Sequence, residues 1–145
     1  MLDSKPRLRR GLQWTLSAFF VAIGASHFAN PDQFLAIMPP QLPAPEALVY
    51  ISGAFEMCLG IALSIPRVSR IAAWGIIALL IAVYPANIYH AWAGGIDHPS
   101  LPRLMANPWV AYARLPFQFV FMAWAYIFTR DVPAEAPRKQ IGSQP

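Results

Sequence analysis

The chain is short of charge. Only 12 % of its 145 residues are Asp, Glu, Lys or Arg, while 57 % are hydrophobic. A soluble domain carries about 25 % charged residues, so this sequence lacks the side chains to cover a water-facing surface and reads as a membrane protein. Cysteine is almost absent. Cys58 stands alone, which excludes an intramolecular disulfide and any Cys-x-x-Cys redox motif. The eight glycines are scattered, so no phosphate-cradling loop is present. His, Cys, Asp and Glu nowhere recur at short ligand spacing, and His27, Glu56 and His90 do not make a metal or haem motif. No metal and no built-in cofactor are expected. The net charge of +4 does not indicate nucleic acid, because the basic residues flank apolar runs and the aromatic residues lie inside them, where they offer no stacking platform.

Four apolar runs are present, at residues 11–29, 47–65, 71–93 and 109–128. Each approaches the roughly 20 residues that a transmembrane helix needs, and the length of the first favours a span over a signal peptide. The expected fold is all-α: an integral membrane four-helix bundle, residues 11–128, with a basic cytoplasmic N-terminus at 1–10 and a disordered cytoplasmic tail at 129–145. Between the first two spans lies a proline-rich connection with Pro31, Pro39, Pro40, Pro43 and Pro45. Asn30-Pro31-Asp32-Gln33 predicts a helix start: Asn caps, Pro suits the first helical position, and Gln33 can reach back. Pro39-Pro40 ends that helix. Phe34, Ile37 and Met38 then share a face, which predicts a short interfacial helix over the mouth of the bundle. Asn107-Pro108 repeats the cap-then-proline start.

Nine of the eleven Lys and Arg residues fall on one side of this topology: Lys5, Arg7, Arg9, Arg10, Arg67, Arg70, Arg130, Arg138 and Lys139. Arg103 alone lies on the other side, and Arg114 is inside the fourth span. The positive-inside rule therefore puts both termini in the cytoplasm. That orientation gives depth, at about 1.5 Å per residue. His27, Glu56, Asn87, His90, Arg114 and Gln118 all fall in the outer half of their spans. Their spacings agree: Arg114 and Gln118 are i,i+4, Asn87 and His90 are i,i+3, and Ser52, Gly53, Glu56 and Gly60 form one stripe, small apart from the acid.

These six residues predict one polar, outward-opening pocket. Pro85 and Pro116 each free a carbonyl one turn back, at Ile81 and Tyr112, to line it. Within the pocket Glu56 and Arg114 are expected to pair, since the arginine can cover the axial offset and its planar fork suits a carboxylate. Such a pair can be a structural lock or part of a ligand or proton site, the default reading of an ionisable residue inside a membrane. The tryptophans, mostly near span ends, read as an interfacial belt.

Several motifs in order resemble a known group. They are His27-Phe28-x-x-Pro31-x-x-Phe34-x-x-Ile37-Met38-Pro39-Pro40, then Leu48-Val49-Tyr50-Ile51-Ser52-Gly53-x-x-Glu56-x-x-x-Gly60. Pro66-Arg67 with Ala72-Ala73-Trp74-Gly75 follows, then Pro85-Ala86-Asn87-Ile88-Tyr89, then Arg114-Leu115-Pro116-x-Gln118. Together they resemble the DoxX-like family of small four-helix membrane proteins, over roughly residues 15–128. The resemblance implies a four-span bundle in the bacterial inner membrane. Some relatives are subunits of quinone-linked sulfur oxidoreductases, others act with redox partners, and distant eukaryotic relatives assist receptor assembly. His27, Glu56, Asn87, Arg114 and Gln118 fall on the motifs, while His90 replaces a more usual apolar residue.

Three functions are compatible with this reading. The first is a binding module whose pocket holds a small amphipathic ligand, such as a quinone or lipid. The second is an accessory or assembly subunit of a larger membrane redox complex, with a purely structural Glu–Arg pair. The third is a proton-coupled carrier or membrane enzyme that titrates Glu56. The first is preferred, with no catalysis by the chain alone. The expected partners are the lipid bilayer, a redox or other membrane protein and a second copy of the chain; nucleic acid is not among them.

Overall fold

A computed structural model describes residues 6–130. The expectations for residues 1–5 and for the tail from 131 onward lie outside the described residues. Every regular element among the described residues is helical: α1 (Pro6–Ala29), α2 (Pro31–Leu35), α3 (Pro45–Ser64), α4 (Ser69–Trp92) and α5 (Pro108–Tyr126), with 3-10 turns at Arg103–Ala106 and Ile127–Thr129. Three of them, α1, α3 and α4, are long and apolar enough to cross a membrane. In α5 the residues Arg114 and Gln118, two prolines and several Trp and Tyr side chains dilute the hydropathy.

Proline sets the helix starts. Pro31, Pro45 and Pro108 each open a helix, where the missing N–H would have no partner in any case and the fixed φ is already helical. Residues 6–10 of the basic N-terminus are helical and continue into the first apolar run. Within α1, Arg9 fastens the helix to the residues that follow α5. Its Nη2 donates to the carbonyls of Ile127 at 3.3 Å and Arg130 at 2.9 Å, and its guanidinium lies 5.4 Å from the centre of the Phe128 ring. The two asparagine caps differ. Asn107 accepts from the Trp109 backbone N–H at 2.9 Å, as expected. The Asn30 side chain makes no capping bond, and the α2 turn is held by backbone contacts, including Gln33 N–H to the Asn30 carbonyl at 3.2 Å.

Helix α1 packs on α3, α3 on α4 and α4 on α5. Side chains bring α1 to α5: Phe19 stacks on Phe121 with centroids 4.6 Å apart, and Phe20 meets the same ring edge-on. The apolar core lies towards the Arg9 end, where Leu16, Phe20, Leu63, Ala72, Ala73, Ile76, Leu80, Ala125 and Phe128 are buried together. The outside is apolar as well. Phe55, Ile81 and Phe117 are each more than half exposed, an arrangement that water would penalise and lipid would not.

The α1–α3 contact is the most extensive among the described helices and is antiparallel. Along it, Gln13 donates to the Leu63 carbonyl at 2.6 Å, Ser17 to the Gly60 carbonyl at 2.5 Å and His27 Nδ1 to the Val49 carbonyl at 2.9 Å. Between these bonds Gly24 faces Gly53. A β-carbon on Gly53 would lie 2.5 Å from His27 Cβ, and one on Gly24 would lie 2.6 Å from the Gly53 carbonyl oxygen. Small residues here let the backbones approach, and side chains from α1 then reach carbonyls of α3.

At the other end, α4 closes in a Schellman turn. Gly94 and Gly95 have φ of 72° and 87°, Gly95 N–H returns to the His90 carbonyl at 3.2 Å, and Gly94 N–H reaches Ala91 at 2.9 Å. Gly95 also packs so closely on Ala106 that a side chain there would strike the Ala106 carbonyl at 2.5 Å.

Candidate functional site

The six polar residues expected in one pocket form two groups on different helix pairs. His27 and Glu56 meet between α1 and α3. Asn87, His90, Arg114 and Gln118 gather where α4, α5 and the turn at 103–106 meet. Among the described residues no hydrogen bond or ion pair joins the two groups.

In the first group His27 and Glu56 are both buried, 6 % and 7 % exposed. The His27 ring is held on two sides. Its Nδ1 lies 2.9 Å from the Val49 carbonyl and 3.3 Å from Ser52 Oγ, while Ser52 itself donates to the same carbonyl at 2.9 Å. Phe34, from the turn-length helix α2, stacks on the imidazole at 3.5 Å between centroids. A carbonyl can only accept, so Nδ1 must carry a hydrogen. The second nitrogen, Nε2, then faces Glu56 Oε2 at 3.2 Å. Two bare lone pairs at that distance repel, so the contact is favourable only when one of the two groups carries a further proton. The approach is short enough for an ion pair but is not aligned as a hydrogen bond, which leaves Oε2 buried with no hydrogen-bond partner.

The expected Glu56–Arg114 pair is not formed. Arg114 donates from Nη1 to Met105 Sδ at 3.7 Å, and Glu56 is turned to His27. The physical reason is azimuthal. The small stripe of α3, Gly53 and Gly60, packs on α1 rather than α5, and Glu56, three residues from Gly53, turns with it. The purely structural Glu–Arg lock is corrected on the same ground.

In the second group Asn87 Nδ2 donates to Gln118 Oε1 at 2.5 Å, and Gln118 Nε2 donates to the Leu80 carbonyl. Pro85 interrupts the α4 ladder beside that carbonyl. The side-chain hydrogen bond goes to Leu80, and among the described residues neither Ile81 nor Tyr112, the two expected acceptors, receives one. His90 is fully buried and its Nε2 donates to the Met105 carbonyl at 3.0 Å. That bond and the Schellman turn tie the loop after α4 onto the helix end. The His90 Nδ1 is left buried and unpaired.

None of the six lines either of two concavities in the described residues. One is an apolar crevice of about 370 Å³ between α1 and α5, bordered by Leu12, Val120, Ala123, Trp124 and Ile127. The other is a basic depression at the Arg9 end. Sequence reasoning missed Gln13, Ser17 and Gly24, which register α1 on α3, and Met105, which meets both His90 and Arg114. The first three had a signal: they recur at helical spacing through the first span, opposite the small stripe of the second. Met105 had none.

Residues 16–129 match the family described as a domain of unknown function (DUF8561), and the chain belongs to that family. No curated protein and no solved structure matches it.

Proposed function

We propose that this member of the family is a four-span protein of the bacterial inner membrane that binds a small amphipathic ligand, such as a quinone or a lipid, at its His27–Glu56 pair. Three helices have the length and apolarity to span a membrane. The fourth, α5, turns Gln118 to Asn87 and Leu80 of α4, so that its other faces can meet lipid. The distribution of Lys and Arg supports cytoplasmic termini. The exposed tryptophans are consistent with two interfacial belts, with Trp14 and Trp74 at one end and Trp92 and Trp109 at the other. The ordered motifs that resemble DoxX-like proteins support the same topology, with α2 as the interfacial helix.

One observation carries the binding reading: Glu56 Oε2 is buried, unpartnered and 3.2 Å from a histidine nitrogen. A group so placed can accept from a ligand hydroxyl, or the shared proton can be offered to a ligand carbonyl. A quinone, in either redox state, presents one or the other. Phe34 already stacks on His27, and a flat ring can extend that stack. The Asn87–Gln118–His90 group serves α4, α5 and the loop between them, and is assigned a structural role.

Equilibrium binding of a short-chain ubiquinone to the protein in nanodiscs tests this. A hydrogen bond to a charged group is worth about 1.5–3 kcal/mol and Glu56→Gln removes the charge, so it should weaken binding about tenfold or more, with Arg114→Ala unchanged. Equal affinity of Glu56→Gln and the parent refutes the assignment. The close α1–α3 packing around Gly53 favours a second reading, an accessory subunit in which the pair is structural. Absence of ligand binding, together with co-purification of a larger membrane complex, would decide for it. A carrier or enzyme that titrates Glu56 would instead show a pH dependence that Glu56→Gln abolishes.

A further inference from the structure

At the end of the molecule remote from His27 and Glu56, a depression of about 1070 Å³ lies between the start of α1, the α3–α4 turn and the residues after α5. Five arginines border it: Arg9, Arg10, Arg67, Arg70 and Arg130. Arg70 and Arg130 already have partners, so the site rests on Arg10 and Arg67, with Arg9 behind them. The guanidinium of Arg9 is fixed by the Ile127 and Arg130 carbonyls and by Phe128, and its Nε is buried without a partner. Arg10 and Arg67 are exposed. Trp14 and Trp74, 57 % and 50 % exposed, stand on the rim, where amphipathic rings mark the level of lipid headgroups.

We propose that this depression is a binding site for the phosphodiester headgroup of an anionic phospholipid, with an acyl chain lying in the apolar crevice along α1 and α5. Arginine forks match phosphate oxygens bidentately, and basic depressions between helices at the cytoplasmic face are the usual seat of such headgroups. The crevice supplies what a free phosphate would not use. It is apolar and starts from Leu12 and Ile127, the sequence neighbours of Gln13 and Phe128 on the rim of the depression. This inference rests on the membrane reading above but not on the His27–Glu56 ligand.

The test is native mass spectrometry of the full-length protein released from vesicles of phosphatidylcholine with one-tenth phosphatidylglycerol, alongside Arg10→Gln/Arg67→Gln. Both substituted side chains are exposed, so the fold should stand, and circular dichroism checks it. Each basic residue contributes a factor of about 5 near a membrane surface, so the double variant should retain about 30-fold less phosphatidylglycerol. Added inorganic phosphate should not displace the lipid. Equal retention of the two lipids by the parent protein, or displacement of the lipid by phosphate alone, overturns the proposal. A preference that emerges only after residues 131–145 are deleted also overturns it, because the depression would then belong to the acidic Asp131 and Glu135 of the chain itself. Failure of the protein to insert in vesicles at all would count against the membrane reading instead.

Discussion

Replacing Gly53 by Ala should force α1 away from α3. The added β-carbon would lie 2.5 Å from His27 Cβ and 3.0 Å from the Gly24 carbonyl oxygen. Optimal carbon contacts begin at about 3.5 Å, so the helices must part by about 1 Å. Neither neighbour can simply swing aside, because a Cβ and a carbonyl move only with their backbones. Overpacking of this kind costs about 1–3 kcal/mol. The same displacement stretches the bonds from Ser17 to Gly60 and from His27 to Val49, 2.5 and 2.9 Å long, and weakening each costs up to about 1 kcal/mol. A total near 3 kcal/mol corresponds to a melting point lower by roughly 10 °C in a chain of this size. Thermal unfolding in detergent, followed by circular dichroism, measures it. Gly11→Ala is the internal control: nothing lies within 4 Å of the new β-carbon, and relief of a mid-helix glycine should stabilise by about 0.5–1 kcal/mol. If Gly53→Ala melts with the parent or above it, the close α1–α3 contact is refuted.

Three further outcomes are expected. Asn87→Leu should destabilise by about 1–3 kcal/mol, because Gln118 Oε1 loses its donor in a buried place; Asn87→Leu combined with Gln118→Leu should cost less than the sum of the singles, and additive melts would refute the coupling. Ala44→Gly should raise the melting point, since Ala44 opens α3 at a φ of 48°, a left-handed conformation that costs a residue with a β-carbon about 1–2 kcal/mol; no gain would mean that the strain is absent. Arg114→Met should cost about 1 kcal/mol at most, because only the Met105 sulfur is lost; a loss as large as that of Gly53→Ala would point to an unrecognised buried partner.

The helices were legible in the sequence and their pairing was not. Runs such as Ile71–Ala93 announce a span because apolar length alone decides the matter. Proline at the first helical position starts α3 and α5 a residue or two ahead of their apolar runs, and α1 already includes Arg7, Arg9 and Arg10, ahead of its apolar run. Position along each helix axis follows from the sequence, because the rise per residue is fixed. The direction in which a side chain points depends on which helix comes closest, and that was set by Gly24 meeting Gly53. Knowing only that Glu56 and Arg114 lie at comparable depths, the reader of the sequence pairs them. Once α1 is registered on α3 by Gln13 and Ser17, His27 is the residue that Glu56 meets. His90 was a candidate ligand contact by its chemistry, but its role is fixed by a loop carbonyl whose position no local pattern foretells.

A single proton held by the His27–Glu56 pair would have a simple electrical consequence. With the proton on the imidazole, the pair is a cation beside an anion; with it on the carboxyl, both are neutral. The sum is zero either way, so a hop between them changes only a dipole. The two atoms are 3.2 Å apart, about a tenth of a hydrocarbon core roughly 30 Å thick. A full charge crossing 100 mV gains about 2.3 kcal/mol. Even if the hop lay wholly along the field, the resting potential could bias it by about 0.2 kcal/mol, less than thermal energy. In a membrane this pair would be almost blind to voltage, and any sensitivity to the cell's energy state would have to arrive with the molecule that binds it.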